Sequence, residues 1–224
     1  VSQRGSLLKY FLYPGDPTDP DAQRLSTLPK IPAMPISQDV ASTLLKNILG
    51  ESVPESWQGW LPEGYHTGPG PAIVKMVYRS RMQRRTIRNI FAWLNTKTNE
   101  KHFVVAGNHY DAWVYGAADP ISGTSVMLET ARVLSNLTHK GWMPRRKILF
   151  RFWDGEEYGM FGSTAWVKKN LSLLKNAVAY INVDTAFRAH DFSPYLSPGL
   201  YSSLDRALVD LQDPDSGKYF SEVR

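Results

Sequence analysis

The sequence has 224 residues, of which 42% are hydrophobic and 12% aromatic, so it is long enough for one large domain with a substantial core, or for one and a half smaller domains. It contains no cysteine, which excludes a disulfide framework, thiolate zinc fingers and a cysteine nucleophile. No stretch approaches the roughly 20 apolar residues that span a bilayer. Because the chain begins with Val1 and shows no charged-then-apolar leader, we expect it to be a fragment at both ends, with any targeting or anchoring segment outside it.

The net charge is +5, from 26 basic and 21 acidic residues, and two basic runs at 79–85 and 145–147 hold much of the excess. A basic balance is compatible with nucleic-acid binding. Neither run belongs to a nucleic-acid-binding motif, however, and solvated surface turns and strand edges explain both. We therefore expect no nucleic-acid partner.

The first 70 residues are rich in turn formers. The segment 13–20 contains three prolines, which remove backbone donors and fix φ, so it is not regular structure. Ser37 then precedes apolar residues at helical spacing up to Ile48, and the pattern predicts a helix over 39–50 that Gly50 ends. The residues from Trp57 to Pro71 are predicted to be loop.

Regular elements are predicted from Ala72 onward. The predicted strands are 73–78, 85–94, 102–107, 147–153 and 177–183, and the predicted helices are 122–137, 162–169 and 200–211. Ser163 or Thr164 is the expected cap of the second of these helices. Strand and helix alternate from residue 102, which predicts an α/β fold with a mostly parallel mixed sheet and helices on both faces.

Three of the predicted strands lead into residues of the types that bind metal ions. The residues are His109 and Asp111 after the first strand, Glu156 and Glu157 after the second, and Asp184 at the end of the third. Ligands in open α/β sheets bind at the carboxyl ends of the strands. Together with Asp119, which lies ten residues beyond His109, these side chains supply imidazole and carboxylate at spacings suited to two metal ions.

The residue types also suggest roles. A ligating histidine usually gives its second ring N–H to a carboxylate, and Asp111 is placed to orient His109 in this way. Asp119 is suited to bridge two cations, and the X–Pro bond that follows it permits a cis geometry that would re-aim the carboxylate. Of Glu156 and Glu157, one would bind metal and the other would act as general base, because adjacent residues at a strand end point in different directions. Each feature alone has a structural explanation, and their coincidence at three strand ends favours a metal site.

The same segments resemble the co-catalytic di-zinc exopeptidases related to glutamate carboxypeptidase II, whose architecture the transferrin receptor shares. The motifs that carry the resemblance are His109 to Trp113, Gly116 to Gly123, Gly141 to Arg146, Trp153 to Gly159, Gly162 to Thr164 and Ala179 to Asp184. The similarity is close from about Val74 to Asp184. It implies that residues 1–73 are the C-terminal tail of a protease-associated (apical) domain with a linker. Residues 74–224 would be the N-terminal portion of a di-zinc peptidase domain, truncated at its C-terminus.

The resemblance implies two Zn²⁺ per chain in the full-length protein. The implied ligands are His109 and Asp184 for one zinc, Glu157 for the other and Asp119 as the bridge between them. Glu156 would be the general base, and Asp111 would support His109. The family's last zinc ligand is a histidine well downstream of the Asp184 position, which we expect beyond Arg224. We therefore expect this fragment alone to be inactive.

The implied function is that of a zinc-dependent exopeptidase, which hydrolyses a terminal bond of a peptide substrate through a metal-bound hydroxide, as a carboxypeptidase or an aminopeptidase. The alternative is a non-catalytic, transferrin-receptor-like ectodomain or dimerisation module. The resemblance also implies a homodimer and a membrane-anchored or secreted location, with any anchor outside this segment. Arg151 departs from the family pattern, because a charge buried in a strand needs a partner. We expect it to pair with an acid or to mark a site that is losing catalysis.

Overall fold

The computed structural model describes residues 31–79, 81, 85–187, 194–220 and 222. These residues fall into two compact units, one up to residue 85 and one from residue 86 onward. The proline-rich segment 13–20 and the centre of the basic run 79–85 lie outside the described residues. None of the helices in the described parts has the length and hydrophobicity that a bilayer-spanning helix needs. The division into an apical-domain tail and a peptidase domain at 73/74 stays a prediction.

The unit up to residue 85 contains one α-helix among its described residues, α1 (Gln38–Leu45). The Oγ of Ser37 accepts a hydrogen bond from the N–H of Val40 at 3.4 Å and caps the start of this helix. The predicted helix end at Gly50 is wrong, since α1 ends well before it. Gly50 is needed for another reason: a Cβ there would overlap the carbonyl oxygen of Thr67, where two stretches of backbone pass close together.

The predicted strand over 73–78 does not form. All of its side chains are exposed, Ile73 to 97%, and the segment pairs with no strand in the described part of the chain. Apolar and β-branched residues favour a strand only where a neighbouring strand supplies hydrogen bonds and burial. This segment has neither, so no strand forms although its composition is typical of one.

The unit from residue 86 onward is built on a four-stranded sheet. Its strands are β1 (Ile90–Leu94), β2 (Phe103–His109), β3 (Lys147–Trp153) and β4 (Ala177–Asn182). The order across the sheet is β1-β3-β2-β4, with β1 antiparallel to β3 and the other two pairs parallel. His109 lies beside Trp153, and Gly107 lies beside Asn182. The carboxyl ends of β2, β3 and β4 therefore meet at one edge of the sheet.

Helices cover both faces of this sheet: α2 (Ile121–His139) lies on one face, and α3 (Phe161–Lys169) and α4 (Leu171–Leu174) lie on the other. The core under α2 consists of Met127, Ala106, Phe150 and Phe152. The core under α3 and α4 consists of Phe103, Val105 and Leu149, with Trp166 and Leu173 packed against them. Successive strand residues point to opposite faces, so β2 and β3 contribute to both cores. The predicted mostly parallel sheet with helices on both faces is confirmed.

The other predicted elements of this unit form close to their predicted bounds. β3 matches its prediction, and α2, β2 and β4 differ by one or two residues at an end. The last helix, α5 (Tyr201–Leu208), is shorter than predicted. β1 begins at Ile90 rather than at Arg85, because its antiparallel register already places Ile90 opposite Phe152, next to the end of β3.

The start of α3 also differs from the prediction. The helix begins at Phe161, and neither Ser163 nor Thr164 caps it. Met160, just before it, has a left-handed backbone conformation with φ of 59°. The N–H of Phe161 donates to the carbonyl oxygen of Gly155 at 2.8 Å. The turn between Gly155 and Phe161, which this hydrogen bond closes, therefore determines where α3 begins.

Arg151 in β3 is buried among aromatic rings. Its side chain is 2% exposed, and its guanidinium carbon lies 4.2, 4.6 and 5.2 Å from the ring centroids of Trp166, Trp153 and Phe91. The expected pairing with an acid is wrong, since no ion pair of the described residues includes Arg151. Cation–π contacts offset the burial instead. Burial lowers the pKa of Arg151 to about 10, so the side chain remains charged at neutral pH.

Replacing Arg151 by Met should leave the free energy of unfolding within about 1.5 kcal/mol of the wild-type value. A flexible apolar side chain of similar length keeps its contact with the three rings and removes a charge that burial penalises. Arg151→Ala should lower the free energy of unfolding by about 2–5 kcal/mol, because it leaves a cavity. Urea denaturation measures both values. A Met variant as unstable as the Ala variant would show that the charge, and not the volume, stabilises this position.

Candidate metal centre

His109 lies at the centre of an acidic cluster at the carboxyl edge of the sheet. Its side chain is 3% exposed, and carboxylate oxygens of four residues lie no more than 3.9 Å from its ring nitrogens. The distances are 3.5 Å from Nδ1 to Asp111 Oδ1, and 3.0, 3.2 and 3.9 Å from Nε2 to Asp184 Oδ1, Asp119 Oδ1 and Glu156 Oε2. The fold thus gathers side chains from three strand ends and one loop around a single imidazole.

Three of these residues form a group with the dimensions of a metal site. His109, Asp119 and Asp184 each offer one ligand atom, and these atoms lie within 4.8 Å of one another. An imidazole nitrogen and carboxylate oxygens are the donors that zinc takes in catalytic sites. Of the six residues that the sequence singled out, Glu157 is the one that the structure does not bring into this group or against the imidazole.

Asp111 holds both the imidazole and the turn that carries the two glutamates. Its carbonyl oxygen lies 3.0 Å from Nδ1 of His109. A proton on Nδ1 that donates to this oxygen leaves the Nε2 lone pair facing the other carboxylates, which is the tautomer a metal ligand needs. The Asp111 carboxylate accepts hydrogen bonds from the backbone N–H groups of Glu156 and Glu157, at 3.0 and 3.3 Å. The sequence predicted that the Asp111 carboxylate would orient the ring, but the backbone carbonyl oxygen lies nearer to Nδ1 than Oδ1 does, at 3.0 Å against 3.5 Å. The contacts with the glutamate turn were not predicted.

Burial and the crowding of carboxylates together shift the pKa values of two groups. Burial raises the pKa of Glu156, and although His109 lowers it, the nearby carboxylates add to the rise. Burial alone would lower the pKa of His109, but the charges of Asp184, Glu156 and Asp111 raise it above its ordinary value. Both shifts arise because several carboxylates share a partly dry space with one imidazole. A cleft lined by one sign of charge concentrates ions of the opposite sign, so this edge of the sheet favours cations.

The loop between β2 and α2 carries Asp119 into the cluster. The peptide bond between Asp119 and Pro120 is cis, a geometry that the X–Pro sequence permits, and Pro120 is among the most deeply buried residues. The side chain of Asp119 is 56% exposed, whereas that of His109 is 3% exposed. Asp119 therefore lies on the open side of the cluster and His109 on its inner side.

Sequence reasoning missed Asn108, the residue before His109 in β2. Asn108 is 0% exposed, and its Nδ2 donates to the carbonyl oxygen of Pro120 at 2.9 Å and to Oγ1 of Thr124 at 3.1 Å. A buried amide needs hydrogen-bond partners. A polar residue at the end of an otherwise apolar strand was the signal that could have revealed this contact.

Comparisons with known proteins agree on one family. Residues 89–218 match the model of peptidase family M28. The chain is 40% identical to the probable glutamate carboxypeptidase VP8 of Zea mays, over 90% of this chain and 31% of that protein. It is 38% identical to the aminopeptidase NAALADL1 of Rattus norvegicus, over 96% of this chain and 31% of that protein. It is 40% identical to transferrin receptor protein 2 of Homo sapiens, over 85% of this chain and 24% of that protein.

The chain belongs to peptidase family M28, which confirms the resemblance inferred from its motifs. A solved structure of a peptidase M28 precursor from Shewanella amazonensis is 22% identical with a TM-score of 0.46, over 54% of this chain and 27% of that one. The chain spans between 24% and 31% of the length of the three relatives. These relatives are named as a carboxypeptidase, a receptor and an aminopeptidase, so their names do not assign a single function to this chain.

Asp111→Ala should lower the free energy of unfolding by about 1–3 kcal/mol, because two backbone N–H groups of the glutamate turn lose their acceptor. Asp111→Asn keeps one side-chain oxygen and should lose less. The measurement is urea denaturation, with Asp210→Ala as the matched control. Asp210 is exposed, so its replacement should change the free energy by no more than about 0.5 kcal/mol. A loss for Asp111→Ala as small as that of the control would contradict the assigned contacts.

Proposed function

We propose that the protein to which this chain belongs is a zinc-dependent exopeptidase that hydrolyses a terminal peptide bond. The observation that carries the proposal is the group formed by His109, Asp119 and Asp184 at the carboxyl edge of a sheet. The chain's membership of peptidase family M28 supports peptide bonds as the substrate. Zinc suits the group because its donors are one imidazole nitrogen and carboxylate oxygens.

Four side chains of this chain are proposed to contribute to the binding of two zinc ions. The proposed ligands are His109 and Asp184 on one ion, Glu157 on the other and Asp119 between the two. The distances of 3.0 and 3.2 Å from His109 Nε2 to Asp184 and Asp119 support two of these assignments. They are the pairing of His109 with Asp184 on one ion and the bridging role of Asp119. Glu157 is tethered beside the group because its backbone N–H donates to Asp111. Bound zinc would polarise the scissile carbonyl and make water a stronger nucleophile.

Glu156 is the proposed general base. Its carboxylate lies 3.9 Å from Nε2 of His109, and burial raises its pKa, which makes it a better proton acceptor than an exposed glutamate. It would take a proton from the water whose oxygen bonds to the carbonyl carbon. It would then return that proton to the nitrogen as the C–N bond breaks, which yields a carboxylic acid and an amine.

Glu156→Gln in the whole protein should lower kcat by about 10²- to 10⁴-fold, because glutamine cannot accept the proton. Its zinc content should equal that of the wild type, since this residue is not a proposed ligand. Glu157→Gln, the adjacent control, should lower the zinc content as well as the activity. Metal analysis of the purified variants and assays on peptides with blocked and unblocked ends measure both effects.

The assays also separate the proposed enzyme from its alternative. A wild-type protein that holds zinc and cleaves only peptides with one particular end unblocked supports an exopeptidase and identifies the end it trims. A wild-type protein that holds no zinc would overturn the proposal. It would favour the second candidate, a non-catalytic ectodomain or dimerisation module, which the 40% identity to transferrin receptor protein 2 also supports.

We further propose that the protein acts as a homodimer in a membrane-anchored or secreted setting, and that residues 1–73 are the tail of a protease-associated domain. The relative named as a receptor supports this setting. Light scattering on the purified whole protein tests the dimer. No nucleic-acid partner is proposed, because the net charge of +5 is the only feature in its favour.

A further inference from the structure

The first turn of α2 contacts every chain segment that carries a member of the three-residue metal group. The first N–H groups of a helix have no partner within it. Here the N–H groups of Ile121, Ser122 and Gly123 donate to the carbonyl oxygens of Gly116, Ala118 and Asp184, at 2.9, 3.4 and 3.1 Å. The N–H of Thr124 makes the first helical hydrogen bond, to the carbonyl oxygen of Pro120 at 3.0 Å. No described side chain caps this helix. The segments that carry the proposed ligands therefore cap it themselves.

Thr124 joins this turn to the strand that carries the imidazole. Its Oγ1 donates to the carbonyl oxygen of His109 at 2.7 Å and accepts from Nδ2 of Asn108 at 3.1 Å. The same Nδ2 donates to the carbonyl oxygen of Pro120 at 2.9 Å, next to Asp119 in the chain. One hydroxyl and one buried amide thus connect the end of β2 to the loop that supplies the proposed bridging carboxylate.

Ser122 and Gly123 join the same turn to the segment after β4. The Oγ of Ser122 accepts from the N–H of Ala186 at 2.9 Å and donates to the carbonyl oxygen of Ala118. A Cβ at Gly123 would overlap the carbonyl oxygens of Asp184 and of the residue before it. Only glycine allows α2 to approach this segment so closely, so the helix start and Asp184 are fixed relative to each other.

We propose that Asn108, Gly123 and Thr124 are positioning residues, which set the distances between the three members of the metal group through backbone contacts. The inference rests on the proposed zinc site and concerns how its ligands are held. None of the three contributes an atom to the group. Groups that orient metal ligands in this way typically change metal affinity when they are replaced, even though they do not touch the ion.

Thr124→Val tests the proposal because it keeps the shape of the side chain and removes the hydroxyl. Zinc binding to the whole protein, freed of metal and titrated with zinc against a chromophoric chelator, should weaken by about 10- to 100-fold. Thr124→Ser keeps the hydroxyl and should bind zinc like the wild type. Gly123→Ala should weaken zinc binding by displacing Asp184.

The matched control is Thr130→Val on the same helix. The Oγ1 of Thr130 donates to the carbonyl oxygen of Val126 at 2.8 Å on the exposed surface, so its loss should leave zinc affinity unchanged. Equal affinities for Thr124→Val and Thr130→Val would overturn the proposal. If Thr124→Val does not fold, Asn108→Ala, which removes the donor to the same hydroxyl, carries the comparison with the control.

A metal-free measurement separates this proposal from the zinc proposal. The ¹⁵N chemical shifts of the His109 ring report its surroundings without any metal. A change in these chemical shifts in Thr124→Val that is absent in Thr130→Val supports positioning of the ring. This holds even if the wild type binds no zinc, because a lack of zinc would overturn only the proposed function. Identical shifts in the two variants would overturn the positioning role, whatever the zinc content.

Discussion

The parallel pairing of β2 with β3 and with β4 is the constraint on which the rest of the structure depends. Parallel strands in one sheet end at the same edge, so the side chains that follow them arrive at one place. His109 and Asp184 make contact although they are 75 positions apart in the chain. An antiparallel β4 would carry Asp184 to the opposite edge, and the acidic cluster would not form. The antiparallel strand β1 lies at one side of the sheet and contributes no member of the metal group.

Gathering carboxylates around one imidazole creates a repulsion that the surrounding structure must offset. Backbone donors supply part of the offset, because the Asp111 carboxylate accepts two N–H groups from the glutamate turn. The proposed zinc ions would supply the remainder as positive charge. The repulsion between these carboxylates thus explains why hydrogen bonds must hold them in place. It also explains why this edge of the sheet favours cations.

Arg151 shows how the fold accommodates a buried charge on the face of the sheet that α3 covers, away from the acidic cluster at the carboxyl edge. Arg151 lies in the same strand as Trp153, whose carbonyl oxygen accepts the N–H of Tyr110 at 3.0 Å, at the entrance of the loop that leads to Asp119. The rings around Arg151 therefore pack against the strand that ends beside the metal group. Cation–π contacts fill this interior around the guanidinium without an acidic partner among the described residues.

The sequence by itself determined the helices and strands of the unit from residue 86 onward and the types of ligand at the strand ends. Buried strands appear as apolar runs and helices as 3.6-residue periods, and 147–153 matched its strand residue for residue. The strand predicted at 73–78, the acid expected beside Arg151 and the contacts of Asn108 could not be obtained in this way. Each depends on a neighbour far along the chain, such as Thr124, 16 positions from Asn108. Only the tertiary structure decided which polar residues meet, because strand register and long-range hydrogen bonds are set by packing and leave no local pattern.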